Sequence, residues 1–194
     1  MVAQLTKTNY SPAEYLDLED KSEIRHEFIN GEIIAMAGGT TNHNEIITNL
    51  CVFLKPILRQ KKGKIYTENV RVFISEYNIF TYPDVMIMAE EPIYYSKSKT
   101  TVTNPIIIIK VLSESTKDYD LGRKFGYYRS LESLQEYVLI EPEDLNIMIY
   151  RRNNQKKWSL EILNLATEVL ELQSMGVEIL LSNIYEGVNS IVNV

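Results

Sequence analysis

The sequence predicts an α/β (α+β) protein: a mixed β-sheet flanked by helices and followed by a C-terminal β extension. Three observations carry this prediction. Residues 106–112, Ile-Ile-Ile-Ile-Lys-Val-Leu, follow Asn104-Pro105 as one short, β-branched, uninterrupted run, which fits a strand buried on both faces in the middle of a sheet. Residues 43–60 set Ile46, Ile47, Leu50, Phe53, Leu54, Ile57 and Leu58 at helical spacing, predicting a long amphipathic helix. Asn30-Gly31 stands between two apolar runs, the strongest short-range signal for a hairpin.

The elements follow in order. Ser11-Pro12-Ala13-Glu14 reads as a helix start, with Ser at the N-cap, Pro at the first helical position and Glu placed to bond back, and the helix runs to about Glu19. The hairpin occupies residues 25–37, and Gly38 to Asn42 form a loop before the long helix. Pro56 falls inside that helix, and Lys61, Lys62 and Lys64 put positive charge near its negative end. Strands are predicted over residues 64–67, 70–75 and 82–88, with Val70, Val72 and Ile74 alternating against Arg71 and Phe73. Residues 89–104 read as a polar, mobile loop. After the apolar strand, Ser115-Thr116-Lys117-Asp118 starts a helix that carries Lys124, Tyr127, Tyr128 and Arg129 to Leu131. A hairpin over 137–140 and 145–150, strands at 158–163 and 169–172, and a weakly helical tail over 180–188 complete the chain.

With 194 residues, 45% hydrophobic and 24% charged, the chain has enough material for one domain with a full core. A net charge of −6 argues against a strongly basic, non-specific nucleic-acid binder, and leaves room for a local basic cleft. Cys51 is the one cysteine, so an intramolecular disulfide and a cysteine-based zinc site are excluded. It falls in the apolar pattern of the long helix as a small buried hydrophobe. His26 and His43 are the only histidines, too few for a His-rich metal centre. Residues 1–10 lack the apolar segment of a signal peptide, and no stretch is long and apolar enough to span a membrane, so a soluble cytoplasmic protein is expected.

Chemistry concentrates at two positions. Asp84 follows a proline at the start of an apolar strand, where a turn aspartate is common. With a second acid on the neighbouring strand it could hold Mg²⁺. Lys110 interrupts the apolar run. A lysine almost never enters a core unpaired, so its ammonium either sits at a cleft near the strand end or meets a buried carboxylate. Elsewhere the motifs are thin. Gly38-Gly39 lacks the spacing of a phosphate loop, and Ser113 and Ser115 lack a nucleophile-elbow context. His43 reads as a capping or structural residue, or as part of a phosphate site at a helix N-terminus. Tyr127-Tyr128-Arg129 and the group Arg151, Arg152, Lys156, Lys157 read either as nucleic-acid contacts or as ordinary core and hairpin-tip residues.

Taken together, a set of short words resembles the Uma-type restriction endonuclease family, a branch of the PD-(D/E)xK nuclease superfamily. They are His26-Glu27-Phe28-Ile29-Asn30-Gly31-Glu32, Ala37-Gly38-Gly39 with His43-Asn44, Tyr82-Pro83-Asp84-Val85 and Asn104-Pro105. They continue with Val111-Leu112-Ser113-Glu114-Ser115-Thr116, Tyr119-Asp120-Leu121-Gly122-Arg123-Lys124-Phe125, Tyr128-Arg129, Ser133-Leu134-Gln135-Glu136-Tyr137 and Ile184-Tyr185-Glu186-Gly187-Val188. The likeness covers about residues 10–188 and implies one restriction-endonuclease-like domain spanning the chain. It implies a metal-dependent DNA endonuclease using Mg²⁺ or Mn²⁺, with Asp84 as first metal ligand, Lys124 as the catalytic lysine and Glu27 as an additional acid. It also implies DNA as partner and is compatible with a homodimer.

One position departs from the family. Its strand usually reads Val-Glu-Val-Leu-Ser, whereas this one reads Ile109-Lys110-Val111-Leu112-Ser113, so a lysine replaces the second metal ligand. A unit charge about 4 Å from another feels on the order of 4 kcal/mol at an effective dielectric near 20, and a divalent ion beside an ammonium is repelled more strongly still. Lys110 is therefore expected to take the metal's place and neutralise Asp84 directly, leaving a site that uses no metal unless Glu68 or Glu114 substitutes. Two functions follow as expectations: an endonuclease with an altered site, or an inactive relative that binds nucleic acid or protein.

Overall fold

The computed structural model describes residues 9–36, 38–114 and 117–189. Helix α1 (Pro12–Glu19) opens with the capping box expected of Ser11 and Glu14. Strands β1 (His26–Ile29) and β2 (Glu32–Ala35) pair antiparallel across Asn30 and Gly31, both at positive φ. A left-handed turn of this kind matches the right-handed twist of the strands it joins. Helix α2 (Thr41–Gln60) is capped by Thr40 and starts two residues before the predicted point. Strands β3 (Lys64–Thr67), β4 (Arg71–Ile74), β5 (Ile79–Thr81), β6 (Val85–Met88), β7 (Thr101–Val102) and β8 (Ile107–Val111) follow.

A continuous helical segment comes next: α3 (Lys117–Tyr119), a π-turn over Asp120–Lys124, and α4 (Phe125–Tyr128). Its expected start at Ser115-Thr116 lies outside the described residues. Strands β9 (Glu136–Ile140), β10 (Ile147–Arg152), β11 (Trp158–Leu163), β12 (Val169–Leu172) and β13 (Val177–Leu180), then helix α5 (Leu181–Ile184), close the fold.

The strands form two mixed sheets where one was expected, in the orders β2-β1-β5-β4-β7 and β11-β10-β9-β8-β6-β3, with β12-β13 as a separate hairpin. As predicted, β8 is central and every residue in it is buried. One face of its sheet packs Ile107, Ile109 and Val111 against Ile46, Leu50 and Leu54 of α2. The other face packs Ile108 and Leu112 against Tyr128, Leu131 and Val72. The larger sheet is thus covered on both sides, which is why its middle strands carry no polar alternation.

Three expectations need correction. The stretch 89–104 is not merely loop: Thr101 and Val102 pair parallel with β4, and both are buried. Strands β5 and β13 were not anticipated. Arg71 was expected to face away from the apolar side of its strand. It is 3% exposed, its guanidinium 5.8 and 5.9 Å from the ring centres of Tyr15 and Tyr82. Arg71, Val72 and Ile74 are buried and Phe73 is half-buried, so both faces of β4 are covered.

Candidate functional site

The site starts from strand pairing. Val85 on β6 sits opposite Ile109 on β8, so the antiparallel register brings Asp84 and Lys110 side by side on one face. Lys110 Nζ lies 2.7 Å from Asp84 Oδ1. The Val111 N–H donates to Asp84 Oδ2 at 2.7 Å. His43 Nε2 is 3.6 Å from the same oxygen. His43 reaches this point from the first turn of α2, and the close approach of Gly39 allows it: a Cβ there would lie 2.6 Å from the His43 ring. Thr40 supplies the cap, so His43 faces the acid and is not itself the capping residue.

Asp84 and Lys110 are 5% and 6% exposed. Burial by itself would raise the Asp84 pKa, but the Lys110 charge and the His43 contact outweigh it and hold the carboxyl down at about 2. Burial works against the Lys110 ammonium, and the Asp84 carboxylate more than compensates, keeping it charged.

A second charged group lies alongside. Lys124, in the π-turn, places Nζ 2.8 Å from Glu27 Oε1 on β1 and 3.4 Å from Asp120 Oδ1. Glu27 also accepts a short hydrogen bond from Thr81 Oγ1, which lies 3.3 Å from the Tyr128 hydroxyl. Burial disfavours the Lys124 charge, yet Glu27 and Asp120 push its pKa above the ordinary lysine value. Tyr119, whose ring centre is 5.4 Å from Lys124 Nζ, is pushed up to about 12 by burial and by Glu27.

Both groups open on one cleft of about 520 Å³, lined among others by Arg25, His43, Glu68, Arg123 and Tyr127. All four residues singled out in the sequence, Asp84, Lys110, Lys124 and Glu27, line it. Glu68 reaches its rim, whereas Glu114 is exposed and does not. Asp120 and Thr81 had no role in the reading of the sequence. The spacing of Asp120 four residues before Lys124 was the available signal. Tyr128 and the hairpin arginines do not serve as free contacts. Tyr128 is fully buried, Arg151 pairs with Glu136 and Glu161, and Arg152 bonds carbonyls at Leu131, Glu132 and Leu134.

These residues do not fit a Mg²⁺ ion. Mg²⁺ completes its octahedron with waters and phosphate oxygens, but it needs one or two carboxylates with an oxygen open to it. Here one Asp84 oxygen is taken by an ammonium and the other by a backbone N–H. Among the described residues, no group of three His, Cys, Asp or Glu side chains is arranged to hold a metal.

Residues 12–182 match the Uma2 family, described as a putative restriction endonuclease. Two uncharacterised proteins of Synechocystis are similar. One is 39% identical over 160 residues, covering 82% of this chain and 90% of that protein. The other is 34% identical over 178 residues, covering 91% and 92%. A crystal structure of a putative nuclease belonging to DUF820 from Anabaena variabilis superimposes with a TM-score of 0.74 over 89% of this chain and 96% of that one, at 17% identity, a likeness of fold. No described helix is long and apolar enough to cross a membrane. By the span of the family match and by these relatives, the chain belongs to the Uma2 family of restriction-endonuclease-like proteins.

Proposed function

We propose that this chain is a non-hydrolysing member of its family, a DNA-binding module that keeps the nuclease scaffold and works without Mg²⁺. The observation that carries the proposal is the 2.7 Å contact between Lys110 Nζ and Asp84 Oδ1. An ammonium held there supplies the positive charge that a metal would otherwise bring to the acid, but it cannot ionise a water or bridge to a phosphate oxygen as a metal does. DNA as ligand is supported by the cleft rim, where Arg25, the exposed Arg123 and the ring of Tyr127 offer phosphate and stacking contacts.

A supercoiled plasmid incubated with the protein and Mg²⁺ or Mn²⁺ remains uncut, while fluorescence anisotropy reports salt-dependent DNA binding. Calorimetric titration of Mn²⁺ gives no heat with the native chain and a measurable affinity with Lys110→Glu. Nicking that disappears in Asp84→Ala, or metal binding by the native chain equal to that of Lys110→Glu, overturns the proposal.

A second reading has its own support. Lys124 and Glu27, the two residues to which the family likeness gives catalytic roles, lie 2.8 Å apart at the cleft. On that reading the native chain hydrolyses DNA, and cleavage by the native chain is the result that selects it.

A further inference from the structure

Every sheet edge exposes backbone groups that another chain can pair with, and proteins blunt such edges with charge, proline, bulges or brevity. Among the described residues, three of the four edges of the two larger sheets are blunted in this way. Strand β7 has two residues and β2 has four. Strand β3 has four and begins with Lys64, which pairs with Glu91. The fourth edge, β11, is different. It runs six residues in unbroken register with β10, contains no proline, and leaves Leu160 49% and Ile162 52% exposed.

The hydrogen-bond phase of this edge is fixed. Asn153 N donates to Lys157 O across the β10–β11 turn. In an antiparallel pair the bonded positions alternate, so Ser159, Glu161 and Leu163 bond inward to β10. Trp158, Leu160 and Ile162 therefore turn their N–H and C=O groups outward, and their side chains lie on one face. Trp158 is anchored there, its ring 5.4 Å from that of Phe125.

We infer that β11 is a self-association surface on which a second copy of this chain pairs antiparallel about a two-fold axis at Leu160. In that register Leu160 faces the partner copy's Leu160 and Trp158 faces its Ile162, so every outward N–H and C=O meets a partner and the three apolar side chains form one ladder. Centring the axis on Glu161 would keep the bonding phase but set two carboxylates directly opposite each other. The chosen register leaves each Glu161 with its own Arg151. It also sets the hairpin tip of one copy, with Lys156 and Lys157, against the end of the other copy's β11. There Glu168 presents a carboxylate that binds the N–H groups of Asn164 and Leu165. Apolar ladder, bonding phase and charge thus all complement a second copy, and the two six-stranded sheets become continuous.

The test is sedimentation across a concentration series together with cross-linking. The native chain approaches twice its 22.5 kDa mass, and Leu160→Lys, which opposes two ammonium groups at the axis, weakens association about tenfold or more. Register is read in a Cys51→Ser background. Leu160→Cys places two thiols on residues about 5.5 Å apart, within disulfide reach, and yields a covalent dimer on mild oxidation. Ile162→Cys separates the thiols by about 13 Å and stays uncoupled. A native chain that is monomeric throughout, a dimer unaffected by Leu160→Lys, or equal coupling of the two cysteine variants overturns the inference.

Discussion

The cleft holds two buried charge groups that look alike and are built differently. Asp84 and Lys110 are neighbours on adjacent strands, a pair set by register alone and tightened by the Val111 N–H. Glu27, Lys124 and Asp120 come from β1 and a π-turn, so this group exists only once the smaller sheet and the helical segment have closed over the larger sheet. The first contains one acid for one base. The second contains two acids for one base, and a hydroxyl serves one of them. The two groups should therefore answer differently to the loss of their lysine.

The largest effect is expected at Lys110. Replacing it by Met leaves Asp84 buried with only an N–H and a histidine, and stranding one partner of a buried pair costs about 3–5 kcal/mol. Urea denaturation at pH 7 measures this. Adding Asp84→Leu to Lys110→Met removes the stranded charge and recovers most of the loss. In the native chain the folded Asp84 pKa of about 2 lies below its unfolded value. The pair's contribution is thus complete above about pH 4 and fades as pH falls toward 2, a loss of about 2 kcal/mol. If the double variant is no more stable than the single one, the pair is not the self-contained unit described here.

Lys124→Met should cost about 3 kcal/mol at pH 7, with Thr81 still serving Glu27. With the ammonium gone, Glu27 and Asp120 repel each other across the space it filled. Urea denaturation at pH 7 measures the cost, and adding Asp120→Asn to Lys124→Met should recover part of it. A double variant no more stable than the single one would mean that the two acids do not share Lys124.

The same contrast explains what the sequence disclosed. A single charge inside an apolar strand is conspicuous, so Lys110 stood out from local pattern, and the family likeness, which puts a metal ligand at that position, pointed to Asp84 as its partner. No local pattern announces that β1 will meet a π-turn nearly a hundred residues later. Glu27 and Lys124 were reached through family likeness alone, and Asp120, the third member, received no role. Segments with a strong local signature, the periodic α2 and the uninterrupted apolar run of β8, were legible for the same reason that β5 and β7 were not. A strand of two or three residues carries too little periodicity, and it takes its structure from partners distant in sequence. Arg71 was misplaced because alternation along a strand identifies an exposed face only when one face of the sheet is open to water.

The smallest effect is expected at Thr81, the hydroxyl that distinguishes the second group from the first. Thr81→Val keeps the shape and removes the donor to Glu27, costing about 1 kcal/mol in the native chain. In the Lys124→Met background the same substitution takes away the second of the two donors that Glu27 has among the described residues. Its cost there should exceed the cost in the native chain, and a double-mutant cycle in urea measures the difference. A cycle that closes with no coupling would show the hydroxyl bonding Glu27 independently of the lysine, and the group would reduce to a plain ion pair like its neighbour.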